Sequence, residues 1–350
     1  MNDDYRPRLT VDLAALRRNA RTMAAMRPGA EMMPVVKADA YGLGAETIVR
    51  SLLREGITSF FVAFAEEAAP LAAIAPEATC YVFGAAPGTG PYTDRIRPVL
   101  YRRDDLEAWS SGPCAVQIEL GMNRLGMRAE ALHDLAPRDE VALVVAHMSD
   151  AGTPSSPRIA QQREQFAQAV LPLKQVFPRA RFSLSSTGHL MLGATLKEAA
   201  IRPGIGLFGA APGPQGALEP VATYEARVMS VHDVPAGETV GYGGRWTAAR
   251  SARIATIGAG YADGIPRELT NKGKVWVGGS ACLMVGTVSM DLTTIDVTDA
   301  GAVDVGDWAE IFGPHIAISD VAAQLSTIDY DLLTGIRGRT IRRYVNDSDK

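Results

Sequence analysis

The first residue in this sequence that could do chemistry is a lysine standing at the end of an apolar run. Residues 32–36 (Met-Met-Pro-Val-Val) carry no charge, and Lys37 follows at once. Ala38-Asp39-Ala40-Tyr41-Gly42-Leu43-Gly44 come next, and a helical pattern begins at Ala45. This order predicts strand, loop and helix, with Lys37 where the strand leaves its sheet. Parallel α/β folds place their chemistry at that point. An amine whose stem leaves a buried strand is partly desolvated, which disfavours its charged form. Lysines become Schiff-base nucleophiles and proton-transfer bases in this way. The plain alternative is a surface lysine at a strand end, and the uncharged run before it argues against that.

Other residues have types and settings of the same kind. Arg124 lies in Gly121-Met122-Asn123-Arg124-Leu125-Gly126, a loop closed by glycines, where a guanidinium could grip a carboxylate through two bonds or simply face solvent. His147 follows the apolar run 141–146 and is either a satisfied core histidine or a partner for a cofactor ring. Ser185 and Ser186 follow 181–184, and Arg202-Pro203-Gly204-Ile205-Gly206 lies within 201–208. Backbone N–H groups and hydroxyls of such segments cradle phosphate. In the second half, Gly260-Tyr261-Ala262-Asp263-Gly264 follows the run 253–257 and holds a tyrosine in a glycine-bounded turn. Met290-Asp291 follows 286–289 and offers a backbone N–H to a substrate carboxylate.

The elements that must position these residues are βα units. Strands are expected over 32–36, 58–64, 79–83, 97–100, 115–119, 141–146, 181–184 and 201–208. Helices are expected over 14–27, 45–55, 66–74, 104–110, 129–135 and 157–176, with 84–94 mostly loop. Eight strands alternating with helical stretches predict a (β/α)8 barrel. Lys37, Arg124, His147, Ser185, Ser186 and Arg202–Gly206 then fall on its C-terminal rim, with the phosphate-type residues after the last two strands. The stretch 211–216 (Ala-Pro-Gly-Pro-Gln-Gly) reads as a linker. Short β-type runs follow at 221–231, 253–257, 274–277, 282–285, 292–297 and 309–312, with helices over 319–325 and 327–333. The expected organisation is a barrel over 14–220 and a mainly β domain over 221–350, with a short strand at 8–13.

Composition narrows the function class. A net charge of −4 over 350 residues, with no long basic run, points away from nucleic acid or an anionic membrane as the main partner. The arginines at 337, 339, 342 and 343 read as a solvated face or an interface edge. Cys80, Cys114 and Cys282 have neither metal-ligand nor disulfide spacing and read as buried small hydrophobes, so no metal is expected. No secretory h-region follows the acidic N-terminus, and no apolar run is long enough to span a membrane, so the expected location is cytoplasmic.

Taken together and in order, residues 34–44, 122–126, His147, Ser185-Ser186, 202–205, 260–264 and Met290-Asp291 resemble the alanine racemases. The resemblance spans nearly the whole chain. It implies pyridoxal 5′-phosphate as cofactor, held as a Schiff base by Lys37, with Tyr41, Ser186, Gly204 and Ile205 on the phosphate, Ser185 beside them and His147 stacked on the ring. It implies Arg124, Met290 and Asp291 near the substrate, and Arg202 on the pyridine nitrogen. An arginine cannot in practice give up its proton, so the nitrogen stays unprotonated and the carbanion is less delocalised, which favours racemisation over transamination or decarboxylation. Inverting a carbon centre needs a proton donor on each face. Lys37 and Tyr261 are that pair, with Tyr261 contributed by the partner in a head-to-tail homodimer that shares its active sites. The N-terminal strand, in the segment 1–13, joins the β domain. D-alanine for peptidoglycan precursors is the implied product.

Three positions depart from the family pattern. Gln117 stands where many members carry a carbamylated lysine that supports the arginine at the position of Arg124. Thr287 stands where an arginine is common near the entrance. The segment Arg337-Gly338-Arg339 lacks the tyrosine often found at the inner gate. These departures leave the proton chemistry in place and open the choice of substrate. The alternatives are a racemase of serine or of basic amino acids, a fold-related decarboxylase, and a non-catalytic PLP-binding homeostasis protein that resembles the barrel alone.

Overall fold

The computed structural model describes residues 5–86, 88, 90–193, 196–210 and 218–347. The expected linker at 211–216 lies outside the described residues. The chain divides into two compact units, Leu16–Glu219 and Met1–Ala15 with Pro220–Lys350. It opens with strand β1 (Arg8–Asp12) and helix α1 (Leu13–Ala25), inside which the division falls.

The unit Leu16–Glu219 is a closed ring of parallel strands: β2 (Glu31–Met32), β3 (Ser59–Val62), β4 (Thr79–Val82), β5 (Ile96–Leu100), β6 (Cys114–Ile118), β7 (Val141–Ala146), β8 (Arg181–Ser183) and β9 (Ala200–Ile201). Each strand from β3 to β8 pairs with the next, and β2 pairs with β9. The bridges Val35–Phe61 and Ser186–Arg202 close the two remaining gaps. This is the (β/α)8 barrel that the sequence predicts. β3, β4 and β6 are buried at every position because both faces of a parallel strand are covered, so they read as unbroken apolar runs.

The helices of this unit are α2 (Lys37–Tyr41), α3 (Ala45–Leu53), α4 (Ala65–Ile74), α5 (Arg103–Ala108), α6 (Arg158–Val176) and α7 (Thr187–Met191). α6 buries Ile159, Gln162, Phe166, Ala169, Leu173 and Val176, a single stripe at helical spacing. The stripe belongs to the same core as Trp109, Leu132 and Phe177.

Three expectations are corrected. The first strand pairs only at Glu31–Met32 and Val35, because Pro34 has no N–H to give to a ladder. The eighth ends at Ile201, with a bridge at Arg202. Pro203 and Gly204 break it, and Ile205–Phe208 is a 3-10 turn. The helix expected over 129–135 is a 3-10 turn at Ala129–Leu132, and Pro137 disfavours helical backbone at Ala136.

The other unit is built around β10 (Ala222–Val234), β11 (Thr239–Val240), β12 (Trp246–Thr247), β13 (Ala252–Ile257), β14 (Lys274–Val277), β15 (Ser280–Met284), β16 (Thr293–Asp296), β17 (Trp308–Phe312) and β18 (Ile341–Val345), with helices α8 (Ile318–Gln324) and α9 (Asp329–Gly335). The long strand β10 pairs with β17 along its first half and with β13 along its second. This closes β13-β16-β15-β14-β17-β10 into an antiparallel ring. β1 pairs antiparallel with β10 and parallel with β18, and its alternating residues Leu9 and Val11 are buried.

Candidate active site

The segment after Lys37 is not an ordinary loop. Ala38, Asp39, Ala40 and Tyr41 all have φ between 52° and 58°, so α2 is a left-handed turn, and Gly42 continues it at φ 86°. That conformation costs residues with a Cβ roughly 1–2 kcal/mol each and persists only where the surroundings fix it. Backbone bonds run from Ala40 N–H to Val36 O at 2.9 Å, from Gly42 N–H to Ala38 O at 2.8 Å and from Gly44 N–H to Asp39 O at 2.9 Å. Asp39 Oδ1 accepts the Ala45 N–H at 2.8 Å and so starts α3. Glu67 Oε1 accepts the Ala38 N–H at 2.7 Å. The strand below is pinned on both sides, with Val35 N–H on Pro203 O and Val36 N–H on Phe61 O, each at 2.8 Å.

Lys37 is exposed in a single chain, yet enough protein crowds its amine that desolvation lowers its pKa from the ordinary lysine value. The Arg124 guanidinium adds to the effect and the Glu67 carboxylate opposes it. Desolvation, then Arg202, Arg124 and Lys37, push His147 down to about 4, so its ring is neutral near pH 7. Three of the residues singled out in the sequence therefore act on a fourth. Arg202 is buried and fully directed: Nη1 donates to Ser183 O at 2.8 Å and to Ser183 Oγ, and Nη2 donates to Ala146 O. Burial brings its pKa down to about 10, with Glu198 opposing, so it still carries its charge near neutrality.

A corner suited to phosphate lies where α2 meets the end of the ring. A Cβ on Gly204 would collide with the Tyr41 hydroxyl, so only glycine lets that phenol seat there. Thr187 Oγ1 accepts the N–H groups of Gly204 at 3.0 Å and of Gly206 at 3.2 Å, and Ile205 sits between them. Ser186 is the residue before α7, and its hydroxyl makes no capping bond. Ser185 is turned away. Its hydroxyl donates to Glu198 and lies 2.9 Å from His189 Nδ1, and its N–H donates to Glu198 Oε2 at 2.9 Å. The Tyr41 and Ser186 hydroxyls with the Ile205 N–H are donors fit for a phosphate, and the guanidinium of Arg202 fits a group with an aromatic nitrogen acceptor.

Arg124 is exposed on its loop, where Gly121, Asn123 and Gly126 have positive φ. Gln117 Nε2 donates to the Leu125 carbonyl at 2.9 Å. The amide thus braces the backbone beside Arg124 and not its guanidinium. Met127 N–H on Gln117 O and Glu119 N–H on Met127 O, both 2.9 Å, fix the base of the loop.

In the β unit, Tyr261 is 41% exposed. Its N–H donates to Ser289 O and the Ala262 N–H to Met290 O, each at 3.0 Å, so the turns carrying Tyr261 and Met290-Asp291 form one structure. Asp263 is buried, accepts the Gly260 N–H at 3.0 Å and pairs with Arg339, which also reaches Asp291. Thr287 is buried and donates to Tyr242 O at 2.9 Å.

Sequence reasoning missed Glu67, Thr187, Glu198 and the roles of Asp263 and Arg339. Glu67 had a signal, since it stands at the third position of α4, where a carboxylate reaches back to the helix start. The others act across long sequence separations and left no local pattern. Among the described residues, no group of three or more His, Cys, Asp or Glu could hold a metal ion.

Comparison with known proteins places these features in a family. The model of the alanine racemase N-terminal domain matches residues 11–212, and that of the C-terminal domain matches residues 221–344. An alanine racemase of Methylobacterium sp. (strain 4-46) is 39% identical over 359 positions, covering 97% of this chain and 98% of that protein. A protein of Agrobacterium fabrum named as a catabolic alanine racemase is 37% identical, covering 96% of this chain and 92% of that protein. The crystal structure of alanine racemase from Bartonella henselae with covalently bound pyridoxal phosphate superposes with a TM-score of 0.90 at 30% identity, covering 98% of this chain and 100% of that one. A biosynthetic alanine racemase from Pseudomonas aeruginosa gives 0.86 at 29% identity, with 98% and 100% covered.

Proposed function

Because this chain belongs to the alanine racemase family, we propose that it interconverts L-alanine and D-alanine with pyridoxal 5′-phosphate at the barrel rim. The observation that carries the proposal is the convergence at one rim of a pKa-lowered Lys37, a neutral His147 and a buried, charged Arg202 beside the Tyr41–Gly204 corner. Tyr41, Ser186 and Ile205 would hold the phosphate, Lys37 the aldehyde carbon, His147 the face of the ring and Arg202 its nitrogen. Ser185, whose hydroxyl is committed to Glu198, would support the corner through its carbonyl, which accepts the Arg202 N–H at 2.8 Å. When bound, the cofactor supplies an electron sink that acidifies the α-proton of the amino acid.

The chain's own residues do the rest. Lys37, with its pKa lowered, removes or returns a proton at the α-carbon on one face. Tyr261 of the partner subunit does so on the other face, in a head-to-tail homodimer with shared sites. Arg124 grips the substrate carboxylate through its guanidinium, assisted by a backbone N–H at Met290-Asp291. Arg202 remains a donor throughout and cannot protonate the ring, which limits side reactions such as decarboxylation.

Racemisation is symmetric in its two enantiomers, so one site serves either supply of D-alanine for peptidoglycan precursors or its breakdown. Relatives carry both kinds of name. No helix among the described residues is long and apolar enough to cross a membrane, in keeping with a cytoplasmic location.

The test is a panel of L-amino acids assayed for the D-form, with alanine expected to turn over fastest. Faster turnover of serine or of a basic amino acid would instead favour a broad-specificity racemase. Lys37→Ala should lose the visible absorbance of the bound cofactor, and a variant that stays yellow would overturn the assignment. Tyr261→Phe should lose α-proton exchange with solvent far more for one enantiomer than for the other. Equal losses would argue against two opposed proton donors.

A further inference from the structure

We propose that Glu67 is a positioning residue for Lys37: its carboxylate ties the left-handed turn after the first barrel strand to the turn after the second, and so sets the direction in which the Lys37 amine leaves the rim. The proposal rests on the reading of Lys37 as the cofactor-binding lysine.

Both oxygens of Glu67 are spent on backbone. Oε1 accepts the Ala38 N–H at 2.7 Å, and Oε2 accepts the Ala63 N–H at 2.7 Å and the Phe64 N–H at 3.2 Å. Bonds of this kind to an ionised acceptor are among the stronger ones a protein makes. The Phe64 bond alone is an ordinary reach back from the third position of a helix to its start. The Ala38 bond is of another kind. Ala38 directly follows Lys37 and is the first of four consecutive residues with positive φ, none of them glycine. The N–H groups of a first turn find no partner within that turn, so an outside acceptor must hold it. Glu67 supplies that acceptor from a neighbouring βα unit.

The charge matters as well as the shape. Glu67 acts on Lys37 against both desolvation and Arg124, raising the affinity of the amine for its proton. One carboxylate thus sets both the direction and the basicity of the lysine.

Glutamine separates these roles, because a neutral amide has one accepting oxygen and cannot serve both turns. In Glu67→Gln holoenzyme, the Ala38 amide or the Ala63 amide should exchange with solvent roughly tenfold faster than in the wild type. In cofactor-free protein prepared from that holoenzyme, the pH at which Lys37 begins to react with trinitrobenzenesulfonate should fall, since the carboxylate that raises its pKa is gone. Glu67→Asp keeps the charge and should leave that pH close to the wild-type value while still loosening the Ala38 amide, and it carries the test should the glutamine variant fail to fold. Unchanged exchange at Ala38 and Ala63, with an unchanged pH of reaction, would overturn the proposal and leave Glu67 a helix-start residue only. Wild-type Lys37 that is labelled equally with and without cofactor would instead overturn the reading of Lys37 itself.

Discussion

Arg339 donates through Nε and Nη2 to the two carboxylate oxygens of Asp263, each at 2.9 Å, although the residues lie 76 positions apart. Its third nitrogen, Nη1, reaches Asp291 Oδ1 at 2.7 Å. One guanidinium therefore holds the turn that carries Tyr261 and the turn that carries Met290. Asp263 is buried, and its Oδ2 also takes the Gly260 N–H, so the fork sets the backbone on both sides of Tyr261.

Arg339→Lys should loosen this turn without unfolding the unit. A lysine offers a point charge in place of a planar fork, so one of the two bonds from residue 339 to Asp263 is lost. Removing one partner of a buried pair costs about 3–5 kcal/mol. Arg339 is half exposed, and water can replace part of what it gave, so only a small loss of stability is expected in urea unfolding. Proton exchange on the face proposed for Tyr261 should fall more than exchange on the face proposed for Lys37. A variant with wild-type stability and wild-type exchange would remove the bracing role.

Gln117→Ala should act on substrate binding. The amide bond to the Leu125 carbonyl is the side-chain tie between β6 and the Arg124 loop. A hydrogen bond of this kind contributes about 1 kcal/mol, or roughly fivefold in an equilibrium. The expected result is a KM for alanine raised a few-fold with kcat little changed, because the carboxylate grip proposed for Arg124 would be shared by ground state and transition state. A drop in kcat at constant KM would show that Gln117 acts elsewhere.

The barrel was legible because its strands are buried on both faces, so each appears as an apolar run such as Val141–Ala146, whatever surrounds it. The rim residues were legible for the same reason, since each strand end marks where its chemistry begins. What escaped depends on contacts between distant segments. Ala38-Asp39-Ala40-Tyr41 contains no glycine and gives no sign of a left-handed turn, which is fixed partly by Glu67 from the next βα unit. Strand Ile341–Val345 was missed because Arg342 and Arg343 interrupt its pattern; it pairs with β1 along a partly exposed edge. Arg339 looked like one member of a solvated cluster, since nothing local connects it to Asp263.

Gly204→Ala should cost cofactor before it costs fold. The new Cβ would strike the Tyr41 hydroxyl and come within 3.1 Å of its Cζ, and overpacking of this kind costs about 1–3 kcal/mol. Tyr41 would be displaced from the phosphate corner, so the purified variant should hold less pyridoxal phosphate than the wild type by absorbance. Adding Tyr41→Phe removes the hydroxyl and the worst of the collision. The double variant should regain thermal stability over Gly204→Ala but not cofactor content, because the hydroxyl proposed to hold phosphate is then gone. Full recovery of both would mean that the phenol does not hold phosphate.

The stability of the barrel should fall as pH drops from about 6.5 towards 4, and His189 should account for part of the fall. Its imidazole is buried, with Nδ1 2.9 Å from the Ser185 hydroxyl and Nε2 lacking a partner among the described residues. The Ser185 hydroxyl donates to Glu198, so His189 Nδ1 must be the donor to Ser185, and Nε2 is bare in the neutral ring. Desolvation, with Arg27 and Arg163 nearby, holds its pKa at about 4. The folded value lies below the unfolded one, so between those two values the unfolded chain binds more protons and stability declines with falling pH. The slope approaches about 1.4 kcal/mol per pH unit for one such group. His147, also brought down to about 4, adds a contribution of the same direction. Carboxylates titrate at the lower end of the same range, so the comparison that isolates His189 is His189→Gln against wild type by urea unfolding at pH 7 and pH 5. The glutamine has no proton to gain, and its stability should depend less steeply on pH. Parallel curves for the two proteins would show that His189 is accommodated equally well in either charge state.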